Sequence, residues 1–293
     1  MPPRPMHAHG RYDYSALPDR LVFDWPGGHR LAVYVALNVE TFRFGSGEGA
    51  ALAPKPAGLD VLNHGWRDWG NRVGVWRLRD LADELSLPLA VLLNSDVYED
   101  CPGLAEAFRA RGDEIVGHGR TNAERQGDLD EAGERALIRE ASEAYRRHEG
   151  RLPGGWLGPW ISESPTTPDL LEEEGYRYLL DWCHDDQPVA MRTRSGSGIL
   201  SIPYSHEIND IPTVTTRLAS AEAFADMIVA EFDERLAASV KAPSVMSVAL
   251  HPYIVGQPHR LRALRRALWH ITEHRDRIWL TRPGEIAQAF AAL

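Results

Sequence analysis

Residues 31–40, LAVYVALNVE, form a nearly continuous apolar run that ends in two polar side chains, Asn38 and Glu40. A strand of this kind is buried on both faces, which calls for a parallel sheet covered by helices. The rest of the chain repeats the rhythm. Helical spacing at Val75, Leu78, Leu81 and Leu85 precedes a second apolar run, LAVLLNSD (89–96). Helical segments over 103–111 and 132–149 lead to DEIVGHG (113–119) and to a short strand at 155–157. Segments over 167–175, 220–238 and 260–274 then alternate with YRYLLDW (176–182), GILSIPY (198–204), SVMSVALH (244–251) and IWLT (278–281). With no low-complexity linker between them, these elements predict one α/β unit, a distorted (β/α) barrel over residues 25–293 behind an N-terminal arm, residues 1–24. The 293 residues suit a fold that takes about 250.

Composition narrows the partners. Lys+Arg number 32 against 42 Asp+Glu, a formal charge of −10. That field repels phosphate backbones and anionic lipid, so neither nucleic acid nor a membrane surface is expected, and a small molecule is. No stretch approaches the roughly 20 apolar residues of a membrane span. The leading MPPRPMHAHGRYDY has no apolar centre of the secretory type, and two cysteines, Cys101 and Cys183, give no disulfide framework. A cytoplasmic location is the expectation. Tryptophans 66 and 69, ahead of the helix that begins near Val73, are expected to be exposed, over the pocket or against another subunit.

Barrel enzymes place their chemistry at the carboxyl ends of the strands. Period-two alternation puts Asn38 and Glu40 on one side of the first strand, where Glu40 is a candidate general base or oxygen ligand. His118 leaves its strand between two glycines, and Asn122 follows at a spacing that shares a helical face; two histidines so placed would be a metal pair, but an amide oxygen is a weak zinc ligand. His251, directly after an apolar strand, is placed to protonate a leaving nitrogen. Around them Asn38, Arg120, Asn122, Trp160, Glu163, Asp181, Trp182, His206, Asn209 and Tyr253 are candidate substrate-binding residues. Neither a GxxxxGK[ST] phosphate loop nor a GxSxG nucleophile elbow is present.

The segments WPGGHRLAVYVALNVE, NRVGVWRL, EIVGHGRTN, LEEEGYRYLLDW, IPYSHEIND and SVALHPYIVGQPHR, taken in order, resemble the polysaccharide deacetylase family (the chitooligosaccharide deacetylase homology domain), and within it the allantoinase-like and cyclic-imide hydrolase branch. In that family the first motif supplies a base Asp and a metal-binding Asp, and the second supplies two metal-binding histidines. Here Asn38 stands for the first Asp, Glu40 for the second, and Asn122 for the second His. Gly158-Pro159-Trp160 replaces the arginine motif. The resemblance implies hydrolysis of a non-peptide carbon–nitrogen bond, by ring opening of a small cyclic amide, imide or ureide or by deacylation of a small amide. Glu40 would then activate water, His118 would hold the oxyanion, carbonyl or metal, and His251 would act as the acid. It leaves open whether a divalent metal such as zinc sits on Glu40, His118 and Asn122 or the site works without one. It also implies a homo-oligomer. Two alternatives stay open, a metal-dependent carbohydrate N-deacetylase and a catalytically silent small-molecule-binding barrel.

Overall fold

The computed structural model describes residues 9–293. Residues 1–8 of the arm lie outside the described residues. The strands are β1 (Leu31–Val39), β2 (Leu89–Leu93), β3 (Glu114–Gly117), β4 (Gly155–Trp156), β5 (Tyr178–Leu179), β6 (Val189–Met191), β7 (Ile199–Ser201), β8 (Ser244–Leu250) and β9 (Trp279–Leu280). They form one curled sheet in the order β6-β7-β5-β4-β3-β2-β1-β8. β9 pairs with the start of β1, at Ala32 and Val33. All pairings are parallel except β6 with β7, which is antiparallel. That three-residue strand is absent from the eight the sequence predicts, because so short a segment with mixed burial has no period to detect.

The helices are α1 (Val61–Trp69), α2 (Val75–Glu84), α3 (Val97–Asp100), α4 (Leu104–Arg111), α5 (Glu131–Glu149), α6 (Thr167–Glu174), α7 (Ala221–Ala238), α8 (Pro252–Val255), α9 (Pro258–Thr272) and α10 (Pro283–Phe290). Among the described residues no helix is long and apolar enough to cross a membrane. The β1 side chains sort by parity. Leu31, Val33, Val35, Leu37 and Val39 join α2, α4, α7 and α9 in the outer core. Ala32, Tyr34 and Ala36 meet Ala90, Leu92, Val116, Leu180 and Tyr204 inside the curl. The same alternation carries Asn38 and Glu40 to the inner face at the carboxyl end.

Among the described residues no pairing of strands closes the barrel. The free edge of β8 is covered instead by irregular backbone, with Val245 N–H donating to Asp186 O and Ala249 N–H to Ile208 O. The segment at 205–210 thereby lies across the top of β8, beside His251. The described part of the arm is pinned to the barrel by the pairs Arg11–Asp169 and Arg20–Asp185.

Helix α1 and α2 run on through a π-helical turn, Gly70–Gly74. A Cβ on Gly70 would fall 2.9 Å from Tyr253 Cβ, and one on Gly256 2.6 Å from Gly74 Cα, so glycine backbone packs directly on α8. This interlock brings Trp66 to Tyr253, ring centroids 4.8 Å apart. Trp66 is therefore buried and Trp69 half-buried, against the exposure the sequence suggested.

Candidate functional site

Glu40, at 4% exposure just past β1, is the hub of a buried polar cluster. Its Oε1 accepts from Asn122 Nδ2 at 2.6 Å, and its Oε2 accepts from the Tyr253 hydroxyl at 2.9 Å. His118 Nε2 lies 3.4 Å and His251 Nε2 3.6 Å from the same Oε1. Asn71 Nδ2 holds the Glu40 carbonyl at 2.7 Å. Burial works against the charge on Glu40, but the two imidazoles more than offset it and hold its pKa down to about 2. The carboxylate is ionised throughout the neutral range.

His118 ends β3. Its Nδ1 sits 2.7 Å from Leu157 O, and a carbonyl can only accept, so Nδ1 donates there and the ring turns Nε2 to Glu40. His251 is held differently. Its backbone N–H donates to Asp210 Oδ2 at 2.8 Å and its Nδ1 to Asp210 Oδ1 at 2.6 Å. Burial pushes the imidazole pKa down, yet Asp210 on one side and Glu40 on the other outweigh it and raise it to about 10. His251 is an imidazolium between two carboxylates. Burial raises Asp210 itself, with the His251 charge opposing.

Asn94, at the end of β2, decides which way Asn122 points. Asn94 Oδ1 accepts from Thr41 N–H at 2.9 Å, while its Nδ2 donates to His118 O and to Asn122 Oδ1. These backbone partners fix the Asn94 amide, which in turn occupies the Asn122 oxygen and leaves the Asn122 N–H for Glu40. A divalent ion on Glu40, His118 and Asn122 would need three lone pairs aimed at one point, and Asn122 offers a proton there. Among the described residues no group of three His, Cys, Asp or Glu side chains is arranged to hold a metal ion. The set does not fit the metal that the resemblance raised.

The remaining sequence candidates divide. Tyr253 and Asn122 touch Glu40, and Asn38 lies below it, tied to the Tyr204 hydroxyl and Leu250 O. Trp160 donates to Asn122 O at 2.9 Å, at a positive φ of 63°. Asp181 accepts from Gly158 N–H and Glu163 from Trp182 Nε1. The leftover oxygens of the two acids have no N–H or O–H partner and face each other. Burial raises both, Glu163 to about 7 with the Glu134 charge adding to it and Asp181 with the Glu163 charge adding to it, so the pair shares a proton one residue beyond the carbonyl that holds His118 Nδ1. Asn209 is buried but turned to Ile211 N–H. Arg120 pairs with Glu124 and Glu140, and His206 is exposed on its loop, so neither joins the cluster. Asp210, Asn94 and Asn71 were not singled out for these roles. Asp210 does stand in the quoted IPYSHEIND segment.

No family model matches the chain. A Schizosaccharomyces pombe protein named a polysaccharide deacetylase is 24% identical over 285 residues, 91% of this chain and 87% of that one. The crystal structure of PuuE allantoinase superposes with a TM-score of 0.84 at 28% identity, covering 99% of this chain and 97% of the other. A Pseudomonas aeruginosa structure, also named a polysaccharide deacetylase, gives 0.84 and 28% over 99% and 98%. The similarity runs the length of the curled sheet and includes the strands that carry Glu40, His118 and His251. The chain shares the fold of these proteins and is similar, over nearly its whole length, to hydrolases named polysaccharide deacetylases and allantoinase.

Proposed function

We propose that this chain hydrolyses a carbon–nitrogen bond of a small cyclic amide, imide or ureide, with Glu40 as base and His251 as acid. The observation that carries the reading is enclosure. Glu40, His118 and His251 are each no more than 4% exposed, and Glu40, though neither histidine, lines a cavity of about 290 Å³ between α1 and the 41–44 segment. A space of that size suits a small ring, whereas a sugar polymer needs an open groove. The likeness to PuuE allantoinase supports the same substrate class.

In the proposed reaction a water on Glu40 Oε1 gives one proton to that oxygen as the C–O bond forms, and His118, whose Nε2 faces the same oxygen, orients the water. The carbonyl becomes a tetrahedral oxyanion beside the imidazolium. As the C–N bond breaks, His251 Nε2 passes its proton to the leaving nitrogen, which needs the proton that Asp210 keeps on the ring at neutral pH. Glu40 Oε1 and His251 Nε2 lie 3.6 Å apart, so the proton taken from water can return to His251 and reset both groups. No step requires Asn122 as more than an N–H donor to the carboxylate.

The test is mass spectrometry after incubation with allantoin, hydantoin, dihydropyrimidines, cyclic imides and N-acetylated sugar oligomers. Gain of one water by a ring compound supports the reading. Loss of acetyl from an oligomer alone would replace it with carbohydrate deacetylation, the activity named for the S. pombe relative.

A further inference from the structure

The cavity in front of Glu40 has a second polar wall that the proposed reaction does not use. His64, Arg67 and Asn71 recur at a spacing that shares one helical face, and all three line this cavity. Arg67 is 6% exposed, yet among the described residues no carboxylate lies within 4.0 Å of it. Residues 1–8 carry no acidic side chain. Other well-covered arginines are paired, Arg11 with Asp169 and Arg20 with Asp185. Arg67 spends one donor, Nη1, on Ala50 O at 2.6 Å. Its Nε is buried without a partner, and Nη2 makes no hydrogen bond among the described residues.

The guanidinium is nevertheless rigidly seated. It stacks on the Phe42 ring at 4.7 Å, and Gly49 packs closely against it, where a Cβ would fall 2.6 Å from the guanidinium carbon. Nε and Nη2 form the side-on edge that grips a carboxylate with two parallel hydrogen bonds. One turn away, His64 Nδ1 is also buried and unpartnered, with its ring tilted on Phe44 at 4.7 Å. Glu40 on this cavity and Asp60 beside it act on Arg67 only at a distance, without an ion-pair contact, and the other acids of the cavity are turned elsewhere. Asp68 faces Arg72 at 3.7 Å and is half-exposed, and Asp100 is exposed. An unpaired buried cation is costly to hold, and the cost is recovered only when an anion arrives.

We propose that Arg67, with His64 beside it, is a carboxylate-binding subsite, so that the ligand of this cavity carries an anionic group apart from the amide presented to Glu40. The substrate class becomes a cyclic amide with a short acidic side chain. Only the word substrate rests on the hydrolase reading; the subsite itself does not.

The test uses Glu40→Gln, which keeps an acceptor oxygen and stops turnover, titrated calorimetrically with hydantoin-5-acetate and with hydantoin. A side-on carboxylate pair is worth about tenfold or more in affinity. The acid is expected to bind tighter by that factor, and adding Arg67→Met is expected to bring the two ligands within about twofold. Arg67→Lys, which keeps charge and loses the fork, is expected to fall between, and it serves alone if the Met variant does not fold. Equal affinities in Glu40→Gln overturn the proposal, as does a preference unchanged in either Arg67 variant at unaltered melting temperature. Failure of the acid to bind up to ~10 mM, beyond the range of specific binding, overturns it too. Ring opening by the wild-type chain is scored separately by mass. If no ring opens while the acid preference stands and depends on Arg67, the hydrolase reading falls and the subsite remains.

Discussion

The pairing of His251 with Asp210 can be tested without knowing the substrate. Raising the imidazole pKa from its ordinary 6.5 to about 10 is a preference for the charged ring of about 5 kcal/mol, at ~1.4 kcal/mol per pH unit. Two carboxylates supply it against burial, and Asp210, in direct contact at 2.6 Å, contributes more than Glu40 does. If Asp210 accounts for about half, Asp210→Asn lowers the imidazole midpoint from about 10 to about 8. The amide also has one oxygen for two donors, the His251 N–H and Nδ1–H, so the ring loses its fixed tautomer. Titration of the His251 imidazole by NMR reads the first effect directly. On any substrate found by the mass assay, the alkaline limb of kcat/KM moves down with it, and the rate at neutral pH falls by about 10²-fold or more, the usual worth of a positioned acid. A midpoint and an alkaline limb that both stay in place in a folded Asp210→Asn protein would refute the ion-triad account of the site.

Other outcomes follow from the same cluster. Glu40→Gln lowers turnover by about 10²- to 10⁴-fold with little change in KM, checked by steady-state kinetics; an unchanged kcat would remove Glu40 as the base. Its carboxyl, held at about 2 against an ordinary 4.5, contributes stability that is present above pH 4.5 and lost as pH falls towards 2. The acid melting curve of Glu40→Gln is therefore flatter than that of the wild type over this window. Dialysis against EDTA leaves activity intact and metal analysis finds substoichiometric zinc, because Asn122 turns a proton to the carboxylate; activity lost on chelation and regained with zinc would contradict this. Asn94→Ala strands Thr41 N–H, His118 O and Asn122 Oδ1 at once and costs about 2–4 kcal/mol by urea unfolding, where a loss below ~1 kcal/mol would show that the network is not holding the loops.

Much of the frame was legible in the sequence, and the failures have physical causes. β1 and β8 are continuous apolar runs, so their limits and the positions of Glu40 and His251 could be read directly. Helix α1 could not. The residues it buries are Asn63, Trp66 and Arg67, while Val61 and Leu62 are exposed, so its apolar period is inverted with respect to its packing. The Asn122 amide reads in sequence as a weakened ligand, and only the Asn94 hydrogen bonds reveal it as a donor. Asp210 pairs with a residue 41 positions away, and Arg67 is distinguished by what it lacks; neither relation leaves a spacing to find.

The glycine interlock at the π-helical turn bears on how a mutational scan of this protein would look. Gly70, Gly74 and Gly256 bear no functional group, yet they set the distance between the helix holding Asn71 and the segment holding Tyr253, both of which bind Glu40. A methyl group at any of the three would wedge these supports apart, and Glu40 would drift from its histidines while the barrel stayed folded. In a library scored for abundance and for turnover separately, these glycines should sort with the acid and the base, as positions where a single added carbon silences a well-expressed protein.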